Sequence, residues 1–172
     1  RTIKFDKKSL IKSDGIHYIQ MDHKNNVQTS IEEFEVVKDL MQQLIGSDFD
    51  DNGKKRKLTV DDFLIISPYN TQVNLLISKL EEAKIKNPRV GTIDKFQGQE
   101  APIVIVSLAA SNYEEAPRGI DFILNFNRMN VALSRSQCLS IVVGSPSLTH
   151  LHYQSLNSIR LTNFHRTLMN PS

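Results

Sequence analysis

Residues Ile103-Val104-Ile105-Val106-Ser107-Leu108 decide the fold. Side chains of a strand alternate between its two faces, and this run is apolar at odd and even positions alike. It therefore predicts a strand buried on both sides. Phe63-Leu64-Ile65-Ile66-Ser67 and Leu139–Val143 read the same way, and Ile16–Met21 and Arg89–Ile93 add two further strands. Between them apolar residues recur at helical spacing. Ile31, Phe34, Val37, Leu40, Met41, Leu44 and Ile45 predict one helix, opened by a Ser30/Glu33 capping box and stopped at Gly46. Val73, Leu76, Ile77 and Leu80 predict a second, Asn127–Ser136 a third, and Leu156, Ile159, Phe164 and Leu168 a closing one. Ser47–Lys57 and Ser111–Gly119 are polar and turn-rich and read as loops. Doubly apolar strands alternating with amphipathic helices predict an α/β fold, a mainly parallel sheet covered by helices on both faces. Such sheets hold ligands at the carboxyl ends of their strands, here after Ser67, Ile93 and Leu108.

The chain has 172 residues, 40% of them hydrophobic, and is read as one domain over residues 1–172. No apolar run reaches the ~18–20 residues needed to cross a bilayer, so no membrane partner is expected. The first ten residues lack the apolar core of a signal peptide. The lone Cys138 excludes an internal disulfide and a Cys-rich zinc site, and it reads as a core residue in an intracellular protein. No metal ligands are assigned; His150 and His152 are too few for a site. The first residue is Arg1 rather than Met, which suggests a piece of a longer chain. Net charge is +2, but beyond Asp121 the charged residues are four arginines, Arg128, Arg135, Arg160 and Arg166, with no lysine or carboxylate. Arginine suits planar, bidentate recognition of phosphate. Lys54-Lys55-Arg56-Lys57 lies among Asp48, Asp50, Asp51, Asp61 and Asp62 and reads as a self-compensating solvated loop.

Three polar segments carry chemistry. Ser67-Pro68-Tyr69-Asn70-Thr71-Gln72 joins a strand to a helix; Asn70 can cap that helix, and Tyr69 can offer a stacking face to a base. Gly91-Thr92-Ile93-Asp94-Lys95-Phe96-Gln97-Gly98-Gln99-Glu100 packs polar groups between two apolar strands. Gly98 permits close backbone approach, Glu100 can accept from sugar hydroxyls, Lys95 adds a charge, and Phe96 is assigned to the core. In Asn127–Ser136, Arg128 and Arg135 are seven apart, share a helical face and can both meet phosphate.

These segments resemble superfamily 1 helicases of the 1B type. Residues 92–100 look like motif V, residues 130–136 like motif VI, and residues 67–72 like the Pro-Tyr-x-x-Gln segment between motifs IV and V. The order matches, and Gly144-Ser145-Pro146 follows the last strand as in that family. Gly98-Gln99-Glu100-Ala101-Pro102 and Glu115-Ala116-Pro117-Arg118-Gly119 look most like the helicase half of bacterial RecB-like nuclease–helicase fusions. The resemblance runs from about Ile16 to Leu148 and implies the second RecA-like domain, of P-loop-NTPase type, of an ATP-dependent motor. It implies that Arg135 is an arginine finger on the γ-phosphate, that Glu100 bonds the ribose, and that the Gly98 amide lies near the γ-phosphate. It also implies that Thr92, with Pro68, Tyr69 and Asn70, meets single-stranded nucleic acid. Kinship to nuclease–helicases favours DNA over RNA, and the location expected is a bacterial cytoplasm or otherwise intracellular. Ser136 stands where the family usually has alanine.

The sequence has no Gly-x-x-x-x-Gly-Lys-[Ser/Thr], and no apolar strand ends in Asp-Glu to hold magnesium. An upstream RecA-like domain is therefore expected to supply the phosphate loop and Mg2+, and the chain alone is expected to have no ATPase activity. The alternative is a non-catalytic scaffold or clamp that keeps the fold. A small-molecule Rossmann enzyme would need a Gly-x-Gly-x-x-Gly turn that the sequence lacks.

Overall fold

A computed structural model describes residues 1–4, 14–22, 26, 29–111, 126–146 and 148. In chain order its elements are β1 (Thr2–Lys4), β2 (Gly15–Gln20), α1 (Ile31–Leu44), β3 (Asp48–Asp51), β4 (Lys54–Lys57), β5 (Phe63–Ile66), α2 (Asn70–Glu82), β6 (Val90–Gly91), β7 (Ala101–Ser107), α3 (Phe126–Ser134) and β8 (Ser136–Gly144). Short 3-10 turns occupy Val60–Asp62 and Ile93–Phe96. The expected closing helix over residues 156–168, the Glu115–Gly119 segment, His150, His152, Arg160 and Arg166 lie outside the described residues.

The main sheet has five strands in the order β2-β8-β7-β5-β6, every neighbouring pair parallel. All seven residues of β7 are buried. Parity sorts the core as the sequence predicts. Ile103 and Ile105 join Phe63, Ile65, Leu139, Ile141 and Val143 in a cluster under α1 and α2. Val104 and Val106 join Leu64, Ile66, Val142 and Tyr18 in a second cluster, under α3 and the Ile93–Phe96 turn. The α/β fold with both sheet faces covered is that of a RecA-like domain of P-loop-NTPase type.

Several local expectations need correction. Ser47–Lys57 is a hairpin, not a loop: β1, β3 and β4 form a separate antiparallel sheet. Its turn is Asn52-Gly53, with φ of 53° and 94°, the positive pair that a two-residue type I′ hairpin demands. Ile3, Phe49 and Leu58 anchor this sheet in the core under α1 and α2. Its charges do compensate one another: Lys57 meets Asp48 at 2.7 Å, Arg1 meets Asp51 at 2.7 Å, and Arg56 holds both oxygens of Asp62 at 2.6 and 2.7 Å. The strand expected over Arg89–Ile93 shrinks to Val90–Gly91 because the chain turns away at Thr92. Asn70 does not cap α2. Tyr69 holds the N-cap position, so Asn70 already sits inside the first turn, too late to reach back to its free amides. Cys138 is half-buried at the margin of the core.

The capping box forms by half. The Glu33 amide donates to Ser30 Oγ at 3.1 Å, but the Ser30 amide donates to Gln72 Oε1 at 2.8 Å instead of to Glu33. The Glu33 carboxylate is diverted into the fold, where Oε2 accepts from Ser107 Oγ at 2.5 Å and from the Ala109 amide at 2.9 Å. Gln72 Nε2 donates to Ser30 O and Ser107 Oγ, both at 3.1 Å. Glu33, Gln72 and Ser107 are fully buried. This network ties the starts of α1 and α2 to the carboxyl end of β7.

Removing the carboxylate strands a buried hydroxyl and a buried amide. Glu33→Ala is expected to lower unfolding free energy by about 2–3 kcal/mol, and Glu33→Gln, which keeps an acceptor, by less. Urea denaturation measures both, and an Ala variant as stable as the wild type would refute the network's role. Asp62 offers a second test. Burial pushes its pKa up, but hydrogen bonds from Arg56 and the Thr59 amide outweigh burial and hold it below the ordinary carboxylate value. A depressed folded-state pKa stabilises the fold fully above the unfolded value of about 4 and loses that contribution as pH falls through the lower folded value. Asp62→Asn should therefore flatten the fall of the urea midpoint below about pH 4. An acid limb identical in both proteins would refute the assignment.

Candidate functional site

In a parallel sheet all amino ends share one edge and all carboxyl ends the other. Gly98 and Glu100 lead into β7 and Arg135 leads into β8, so these three come together at the amino edge. Pro68, Tyr69 and Asn70 follow β5 and Thr92 follows β6, so these four lie at the carboxyl edge. Gly91 is level with Ile66, which is level with Val106, five residues beyond Ala101. At about 3.3 Å per residue the two groups are about 17 Å apart along the strands. Pro68, Tyr69, Asn70 and Thr92 thus lie at the carboxyl edge singled out from the sequence, and Gly98, Glu100 and Arg135 at the opposite edge.

The amino edge is built around a tight turn. Gln97 has φ −56° and ψ 125°, Gly98 has φ 76°, and the Gln99 amide donates to Phe96 O at 2.9 Å. This is a type II turn, whose third position strongly favours glycine. Phe96, at the first position, is buried in the core as expected. Gln99, at the fourth, accepts from Arg89 Nη2 at 2.8 Å, and Arg89 Nη1 donates to Asp61 O at 2.8 Å. Glu100 follows directly and is exposed.

Arg135 sits in the turn between α3 and β8. Its carbonyl accepts from the Ala101 amide at 3.0 Å, which joins it to the strand that Glu100 opens. Gln137 Nε2 reaches Glu100 Oε2 at 3.5 Å. Ser136 Oγ and Ser140 Oγ share a hydrogen bond at 2.6 Å, and both lie within reach of Leu133 O, at 3.1 and 3.2 Å, securing the end of α3. Arg135 is half-buried, and its buried Nε has no hydrogen-bond partner among the described residues. Arg128 departs from expectation: it is exposed and meets Asp94 Oδ2 at 2.9 Å, a carboxylate that the folded chain brings from the other side of β7.

At the carboxyl edge the Ser67 amide donates to Gly91 O at 3.2 Å, holding the two polar segments side by side. Asn70 is exposed, and Pro68 and Thr92 are half-buried. Tyr69 is only 5% exposed and packs in the cluster with Ile66, Ile93 and Phe96, so its ring has no free face for a base. The stacking role is corrected accordingly. Lys95 is exposed, but its stem fills the space that a Cβ at Gly91 would need, and Nζ donates to Val90 O at 2.8 Å. Among the described residues no three of His, Cys, Asp and Glu gather as a metal site. Sequence reading missed Arg89, Gln99, Gln137 and the Ser136/Ser140 pair. Their roles depend on strand register, and no local pattern announces them.

A family model described as an AAA domain (AAA_12) matches residues 3–147. "Probable RNA helicase armi" of Drosophila melanogaster is 34% identical over 98 residues, 55% of this chain and 8% of that protein. "DNA polymerase alpha-associated DNA helicase A" of Saccharomyces cerevisiae is 37% identical over 82 residues, 47% of this chain and 12% of that protein. "DNA replication ATP-dependent helicase/nuclease DNA2" of Mus musculus is 33% identical over 86 residues, 50% of this chain and 8% of that protein. The chain spans about a tenth of the length of these curated relatives.

Burial of Tyr69 separates two roles for it. A ring in the core predicts that Tyr69→Ala costs about 3 kcal/mol or more of stability. A surface stacking residue would leave the urea midpoint unchanged, and that outcome would restore the stacking role.

Proposed function

The chain belongs to this AAA-domain family, similar to superfamily 1 helicases, and from that premise we propose that it is the second RecA-like motor domain of an ATP-dependent helicase or translocase. An upstream RecA-like domain supplies the phosphate loop and the Mg2+ site. This chain closes on the nucleotide with its amino edge: Arg135 reaches the γ-phosphate, the Gly98 amide lies beside it, and Glu100 accepts from the ribose. Arginine in that role stabilises the charge of the transition state. Pro68, Asn70 and Thr92 at the carboxyl edge hold the backbone of a single strand, with Tyr69 beneath them as part of the core. The chain alone does not hydrolyse ATP.

One observation carries this reading. The Ala101–Arg135 hydrogen bond joins the strand opened by Glu100 to the turn that holds a buried guanidinium nitrogen with no partner among the described residues. A scaffold needs neither. The relatives' names include both RNA and DNA helicases. DNA, and a bacterial cytoplasm, follow from the narrower kinship with nuclease–helicase fusions, supported by residues 98–102 and by residues 115–119 outside the described set.

The test is ATP hydrolysis, with and without single-stranded DNA or RNA, by the chain joined to its upstream domain. Arg135→Ala should lower stimulated turnover on the order of 10³-fold with the fold intact, and the chain alone should show none. Turnover unchanged by Arg135→Ala, or absent in the joined protein, would transfer the assignment to the scaffold reading.

A further inference from the structure

Arg89 is the cation at the amino edge that the nucleotide reading leaves unused. It lies at the start of β6, one strand beyond β5 and two from β7, yet its guanidinium spans to both. Nη1 donates to the Asp61 carbonyl, just before β5, and Nη2 to the Gln99 side chain, just before β7, each at 2.8 Å. Gln99 is the last residue of the type II turn, and its own Nε2 donates to Lys95 O at 3.4 Å. The turn is therefore fixed at both corners, by the buried Phe96 ring at one and by the Arg89 fork at the other. Between the corners lies Gly98, and immediately after them Glu100. Gln97, Gly98, Gln99 and Glu100 are exposed, and the next residue, Ala101, is buried as the first of β7.

We propose that Arg89, acting through Gln99, is a positioning residue that aims the Glu100 carboxylate at the sugar of the nucleotide and so sets the selectivity for ribose hydroxyls. The inference rests on the nucleotide reading above and deepens it. A carboxylate reads a sugar hydroxyl only within hydrogen-bond reach, and displacement of about 1 Å is enough to forfeit most of the effect. Buried Ala101 holds Glu100 from one side; from the other, the planar Arg89 fork ties Gln99 to the Asp61 carbonyl, a geometry that a lysine ammonium lacks.

The experiment compares KM and kcat for ATP, 2′-deoxy-ATP and 3′-deoxy-ATP in single-strand-stimulated hydrolysis by the joined protein. The proteins are the wild type, Glu100→Ala, Arg89→Ala, Arg89→Lys, Gln99→Ala and Gln99→Glu. Wild type should prefer ATP over one or both deoxynucleotides in KM, and Glu100→Ala should abolish the preference. Arg89→Ala and Gln99→Ala should each shrink it at least threefold while kcat for ATP changes less than twofold. Arg89→Lys should shrink it too, and Gln99→Glu, which offers Arg89 a carboxylate, should retain it. Gln99 is exposed, so its truncation keeps the test valid if Arg89→Ala fails to fold. A wild-type preference that Glu100→Ala abolishes and Gln99→Ala leaves intact overturns the role of Arg89 while the nucleotide reading stands. No preference in the wild type, or one indifferent to Glu100→Ala, overturns the nucleotide reading of this edge and the inference with it.

Discussion

The residues of β7 lie between β5 and β8 in the sheet and between two helical layers above and below it, and none of the seven reaches water. A backbone so enclosed must satisfy its amides and carbonyls within the sheet, and its side chains must be apolar or fully bonded. Polar chemistry is thereby confined to the strand ends. The placement of every candidate residue follows. Gly98, Glu100 and Arg135 stand where β7 and β8 begin; Pro68, Asn70 and Thr92 stand where β5 and β6 finish.

The carboxyl edge of such sheets often receives an anionic ligand in the crevice where the connections diverge, here between β5 and β7. In this protein the chain's own carboxylate fills that place. Glu33 Oε2 takes the Ser107 hydroxyl and the Ala109 amide, the kinds of donor that a phosphate would otherwise use. The backbone there is unusual: Ala109 has φ 66°, and the Ala110 amide donates to Leu108 O at 2.8 Å, a tight three-residue turn of a rarely adopted kind. A buried carboxylate is costly without partners, and its bonds to Ser107 and Ala109 both offset that cost and hold the strained turn. Beside this filled crevice, Pro68, Asn70 and Thr92 are the candidate residues at the surface of the edge.

Legibility in the sequence followed how local each determinant was. Strand burial shows in parity over five or six residues, so β5, β7 and β8 were readable, as were α1 and α2 from helical spacing. The β3–β4 hairpin was missed because its residues are charged and its apolar anchors, Ile3, Phe49 and Leu58, are scattered; the Asn52-Gly53 pair was the signal available. The capping box was half right because the Glu33 carboxylate finds better partners on a strand more than seventy residues away. Arg128 shows no nearby carboxylate in sequence, yet Asp94 lies beside it in space. Tyr69 follows a proline at a strand end, a context compatible with exposure, and its enclosure comes from the cluster it shares with Ile66, Ile93 and Phe96. The candidate residues could be named from motifs, but their division between two edges needed the strand order.

That division gives residues 91–101 a particular burden. The segment leaves the carboxyl edge at Gly91, passes Thr92, crosses one face of the sheet and arrives at the amino edge with Gly98 and Glu100. It covers about 17 Å along the strands and about 10 Å across them, about 20 Å in ten residues, where a fully extended chain of that length would reach about 33 Å, so there is slack to be taken up. The slack goes into two turns, the 3-10 turn of Ile93–Phe96 and the type II turn through Gly98. Phe96 belongs to both turns and is pinned in the core. The Lys95 amide, bonded to Thr92 O, and Gln99 Nε2, bonded to Lys95 O, form one link between the turns. A shift at Thr92 that passes through Phe96 instead moves that ring within its cluster with Leu64, Ile66, Val104 and Val106. Close packing makes that movement stepwise rather than gradual, because a ring in a filled core either keeps its place or repacks with its neighbours.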